Sequence, residues 1–118
     1  MLAMQTRPIT VAETHAFARS AARIWNEQEL AKLVDYVAHN PEAGDIIQGT
    51  GGVRKLRWSR PGSGKRGGAR VIYFYYRLDH PLYLLLAYAK AQATDLTPDE
   101  KKAVAALAAT IKSTADEN

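Results

Sequence analysis

The chain has no cysteine. That excludes in one step a disulfide scaffold, a thiol nucleophile and every zinc or iron–sulfur site built on thiolates. A reducing compartment suits such a chain, and we expect a cytoplasmic protein. Long apolar runs are also missing, and Met1 to Pro8 hold one arginine and no apolar stretch of signal-peptide length. Neither a membrane span nor export is therefore expected. One stretch lacks acidic residues altogether: from Arg54 to Arg70 the chain carries Arg54, Lys55, Arg57, Arg60, Lys65, Arg66 and Arg70, with no Asp or Glu. The formal net charge of +4 thus understates a local basic field of the kind that attracts phosphate.

What is present is enough for one folding unit. With 118 residues, 47% of them hydrophobic, a single domain can bury a core without crosslinks; residues 1–7 and 113–118 are expected to be flexible tails. Ile9 to His15 alternates β-branched and polar residues as a short strand does, and Ala16 to Ile24 is Ala-rich and helix-forming. Asn26 caps a helix with Glu27 and Glu29 in its first turn and an apolar stripe of Leu30, Leu33, Val34, Val37 and Ala38; Asn40-Pro41 stops it. Pro41 to Gly52 reads as a loop. Strands follow over Val53 to Trp58, Arg70 to Tyr76 and Leu82 to Tyr88, joined by a basic Gly-rich loop and by the turn Leu78 to Pro81, which predicts an antiparallel meander. Thr97, Pro98, Asp99 and Glu100 open a closing helix whose stripe is Val104, Leu107, Ala108 and Ile111. The expected fold class is α+β, a small twisted antiparallel sheet packed with N-terminal and C-terminal helices.

Strand alternation puts Lys55 and Arg57 on one face and Leu56 and Trp58 on the other. Arg70 on the adjacent strand and Arg66 in the loop can join the Lys55/Arg57 face, making a cluster of cations sized for phosphate, while Arg54, Arg60 and Lys65 are expected to bind RNA. Leu86, Tyr88 and Lys90 share a face, so a phenol and an ammonium stand where a proton could be moved. Attack of a ribose 2′-hydroxyl on its neighbouring phosphate needs a base, an acid and stabilisation of phosphoryl charge, which clustered Arg, Lys and Tyr can supply without a metal or cofactor. Such a basic stripe also fits a solvated or non-specific nucleic-acid surface. Tyr73, Tyr75, Tyr76 and Tyr83 read as packing residues, and Tyr88 as either packing or stacking. His15, His39 and His80 have no metal-ligand spacing and no partner nucleophile, so they read as structural. The loop Gly62 to Gly68 lacks the phosphate-loop spacing and does not lead into a helix.

The runs Asn40-Pro-Glu-Ala-Gly-Asp45, Gly51-Gly-Val-Arg-Lys-Leu-Arg-Trp58, Gly64-Lys-Arg-Gly-Gly-Ala-Arg-Val-Ile-Tyr73, Leu84-Leu-Leu-Ala-Tyr-Ala-Lys90 and Asp95-Leu-Thr-Pro98 resemble, in order and spacing, the HigB branch of the RelE-like toxins. The resemblance implies a microbial RNase-like sheet flanked by helices and a metal-independent endoribonuclease, an mRNA interferase that cuts messenger RNA in the ribosomal A site and so inhibits translation. It also implies neutralisation by a cognate antitoxin, commonly a HigA-like helix-turn-helix protein. Carried over by position, Lys55 and Arg57 match the strand cations at the scissile phosphate, Arg66 and Arg70 the basic residues around the next strand, and Lys90 with Tyr88 the catalytic region of the last strand. One departure is that no tyrosine follows Tyr88, whereas better-known RelE members use one near the C-terminus; its role would pass to Lys90, which as a base needs a lowered pKa. Two alternatives stay open: a ParE-like toxin of the same fold that inhibits DNA gyrase without cleavage, and an RNA-binding protein without cleavage activity. The convergent cations favour RNA chemistry. An apolar groove between the helices is the expected antitoxin dock.

Overall fold

The computed structural model describes residues 7–59, 68–93 and 95–117. The first strand, β1 (Val11–Glu13), gives way to α1 (His15–Ala22) at Thr14, whose hydroxyl accepts the Phe17 amide at 3.1 Å and so caps the helix. His15, expected at the strand's end, is the helix's first residue. α2 (Glu27–His39) starts from a reciprocal capping box: the Asn26 side chain accepts the Glu29 amide, and the Glu29 carboxylate accepts the Asn26 amide, each at 2.8 Å. The segment from Pro41 to Gly52, expected as loop throughout, contains a two-residue strand, β2 (Asp45–Ile46). Then come β3 (Val53–Trp58), β4 (Ala69–Phe74), β5 (Leu82–Ala89) and α3 (Pro98–Asp116). Among the described residues no helix is long and apolar enough to cross a membrane.

The sheet has the order β1-β5-β4-β3-β2. The expected meander of β3, β4 and β5 is antiparallel, and β2 pairs antiparallel with β3, but β1 runs parallel to β5, so the sheet is mixed. Three residues of β1 carry no signal for a partner so far along the chain; tertiary packing chooses it. On one face α1 and α2 bury Phe17, Ala21, Leu33 and Val37 against Leu56, Val71, Tyr73 and Leu84. On the other, α3 buries Val104 and Ala108 against Val53, Ile72, Phe74 and Leu85. β4, covered on both faces, is buried at every position.

Two details depart from simple patterning. The register between β4 and β5 slips at Ile72/Tyr73: Ile72 pairs with Leu86 but Tyr73 with Leu84, which leaves Leu85 as the extra residue of a bulge. Before the bulge the even-numbered Leu82 and Leu84 face α1 and α2; after it Leu86 and Tyr88 face α3. The C-terminal segment, expected to fray from Ser113, instead stays helical to Asp116, with Ala115 fully buried. Arg77 explains this, donating to the Asp116 carboxylate at 3.1 Å and the Ala115 carbonyl at 2.9 Å, while the Tyr76 hydroxyl donates to Asp116 at 3.0 Å.

Candidate active site

Odd positions of β3 and even positions of β4 point toward the α3 side, and the bulge brings Tyr88 to that side as well. The result is a row across three strands, Arg57 opposite Arg70 and Arg70 opposite Tyr88, with Lys55 two residues before Arg57 on the same face. Ala43, Asp45, Lys55, Leu56, Arg57 and Arg70 line an open cleft of about 550 Å³ there.

Arg70 is the centre of the row. The residue is 9% exposed, and among the described residues its guanidinium makes one hydrogen bond, a long one of 3.4 Å to the Ala69 carbonyl, and no ion pair. A guanidinium has five donors and loses much hydration on burial, so this arrangement favours an anion as the missing partner. Arg57 is exposed and likewise has no ion pair among the described residues. Lys55 does have one: its Nζ lies 3.6 Å from the Asp95 carboxylate on the connection into α3.

Tyr88 places its hydroxyl in a buried position with no hydrogen-bond partner among the described residues. Burial pushes the phenol above its ordinary pKa, the Asp95 charge adds to the effect, Arg70 opposes it and Glu100 adds a little more. At neutral pH this phenol keeps its proton. It is a donor, and the base role left open for it in the sequence is not what its surroundings favour. Lys90 follows β5 and is exposed; its amide extends the ladder by donating to the Gly68 carbonyl at 3.0 Å, but no described hydrogen bond or ion pair joins its ammonium to the row.

Arg54 belongs elsewhere. As an even position of β3 it faces α1 and α2, and its Nη1 donates to the carbonyls of Glu42 at 3.2 Å and Gly44 at 2.8 Å, with the Glu42 carboxylate 3.8 Å from Nη2. It braces the segment before β2 on the face opposite Lys55 and Arg57, whereas the sequence placed it among the RNA-binding residues. Tyr73 braces the same segment from the core, accepting the Gly44 amide and donating to the Pro41 carbonyl, both at 2.8 Å. Gly44 fits because a Cβ there would come within 2.8 Å of the Tyr73 ring. This braced segment carries Ala43 and Asp45 into the cleft wall. Arg60, Lys65 and Arg66 lie outside the described residues.

Sequence reasoning gave no role to Asp95 or Asp45, the carboxylates nearest the cations. Asp95 stands just before the Thr97 cap, in the run Asp95-Leu-Thr-Pro98, but nothing local says that it folds back onto Lys55. An apolar groove lies between the edge strand β1 and α2, lined by Ile9, Val11, Leu30 and Val34 and rimmed by Glu13, Glu27 and Asp35. A family model described as the RelE toxin of the RelE/RelB toxin-antitoxin system matches residues 9–118.

Proposed function

Since this chain belongs to the RelE toxin family, the toxin half of a toxin–antitoxin pair with a cognate antitoxin as partner, we propose that it is a metal-independent endoribonuclease of the HigB-like branch that cuts messenger RNA in the ribosomal A site. Its antitoxin on this reading is a HigA-like helix-turn-helix protein. The observation that carries the reading is Arg70, a largely buried residue with an under-bonded guanidinium, set opposite Arg57. Two convergent guanidiniums match the oxygens of one phosphodiester, and they gain most when negative charge grows on those oxygens. The protonated Tyr88 hydroxyl adds a neutral donor from the neighbouring strand. The loss of one such donor costs on the order of 10²–10³ in rate in other enzymes.

The test is brief expression from a tight promoter, with mapping of cellular mRNA 5′ ends for wild type, Lys55→Ala and Arg70→Ala. New cuts within translated codons that vanish in both variants, each still folded by circular dichroism, support the reading. Growth arrest with intact mRNA would overturn it in favour of a non-cleaving mode such as gyrase inhibition.

A further inference from the structure

Guanidiniums and ammoniums recognise phosphate, but they do not distinguish RNA from DNA. A ribose 2′-hydroxyl differs from every phosphate oxygen in that it both accepts and donates a hydrogen bond. A site that selects it needs a donor and an acceptor side by side, and among the described residues Lys55 and Asp95 offer both beside the row. Lys55 Nζ lies 3.6 Å from Asp95 Oδ1, so an oxygen that accepts from this ammonium sits within reach of the carboxylate. Asp95 is oriented for the task. Its Oδ1 accepts the Leu96 amide at 2.8 Å, and the next residue, Thr97, is pinned by the capping box that starts α3. Oδ2 has no partner among the described residues, and the side chain is 64% exposed.

We infer that the Lys55–Asp95 pair is the ribose 2′-hydroxyl site, and that Asp95 is the catalytic base that takes the hydroxyl proton as O2′ attacks the phosphate held by Arg57 and Arg70. This rests on the ribonuclease reading above. In the step the O2′–H bond breaks and its proton passes to the carboxylate. The O2′–P bond forms, the P–O5′ bond breaks, and the departing O5′ takes a proton from water, leaving a 2′,3′-cyclic phosphate and a 5′-hydroxyl. Lys55 from β3 lies against Asp95, and Tyr88 from β5 feels the charges of Asp95, of Arg70 from β4 and of Glu100 at the start of α3. Of these, Tyr88 stays protonated and the cations cannot accept a proton. Asp45, which lines the cleft with Arg57 and Arg70, stands opposite Lys55 on the β2 edge and is the competing carboxylate.

The experiment is single-turnover cleavage of mRNA on programmed ribosomes across a pH series, with wild type, Asp95→Asn, Asp95→Glu, Asp45→Asn and Arg70→Ala, each checked by circular dichroism. Asp95→Asn is expected to slow cleavage by about a hundredfold or more and to lose the decline on acidification. Asp95→Glu should recover part of the rate together with that decline, and Arg70→Ala should be slow while keeping it. The inference is overturned if folded Asp95→Asn cuts within about threefold of wild type, well under the loss expected of a missing base. It is equally overturned if Asp45→Asn, rather than Asp95→Asn, removes the acid decline. Wild type that does not cut on the ribosome overturns the ribonuclease reading itself, and this inference with it.

Discussion

Arg57 and Arg70 are direct cross-strand partners on β3 and β4, and among the described residues no carboxylate lies within ion-pair distance of either. Like charges so placed repel, by an amount of the order of 0.2–1 kcal/mol for a directly opposite pair. The fold tolerates the pair, and an anion between them relieves it. Inorganic phosphate should therefore raise the melting temperature of the wild type by mass action. Arg70→Met should melt slightly higher than wild type without phosphate and cease to respond to it. Thermal melts over a phosphate series check both points; a wild-type melting point indifferent to phosphate would count against the anion site.

The Tyr88 hydroxyl is buried without a partner, an arrangement that costs stability in the free protein. Tyr88→Phe should melt at or above the wild-type temperature while cutting at least about tenfold more slowly, in line with the loss of a transition-state donor. Unchanged cleavage with unchanged stability would show that the phenol acts only through its ring.

Removing the Tyr73 hydroxyl leaves the Gly44 amide and the Pro41 carbonyl unpaired inside the protein, so Tyr73→Phe should lose about 1–3 kcal/mol in urea unfolding at pH 7. The pH dependence has a definite sign. Burial, the leading cause, raises the Tyr73 phenol above its ordinary value of 10.0, so the folded chain holds that proton more tightly than the unfolded one. This contribution is fully present below pH 10 and is lost as pH rises toward the folded value. Wild-type stability should fall over that alkaline window, and Tyr73→Phe should fall less steeply.

How far the sequence reveals this architecture depends on the range of the interaction concerned. Asn26 and Thr97 are legible as caps because their bonds close within three residues. The shared face of Lys55 and Arg57 is legible because alternation is a local property of β3. The side of the sheet reached by Tyr88 is not, since it depends on the Leu85 bulge, which reverses the parity of β5 halfway along. Arg54 looks identical to its basic neighbours until the carbonyls of Glu42 and Gly44 claim it. Asp95 and Asp116 contact partners about 40 residues away, and no spacing rule reaches that far.

The Asp116 contacts have a direct consequence for stability. Arg77 and Tyr76 both donate to its carboxylate at an exposed site, so Asp116→Ala alone should cost no more than about 1 kcal/mol. A chain ending at Ser113 also loses the buried Ala115 and the carbonyl held by Arg77. It should melt well below Asp116→Ala; equal melting temperatures would mean that the last helical turn adds nothing.

The parallel pairing of β1 with β5 bears on how this protein is born. The Thr14 hydroxyl meets the Leu85 carbonyl 71 residues later in the chain, and Val11 has no sheet neighbour until Leu82 has been made. During vectorial synthesis the first strand must wait for the last, and Tyr88 arrives with that last strand. The β1 edge of the sheet is therefore completed only after β5 has been made. Any nascent stretch that stops short of Leu82 lacks the partner of its own first strand.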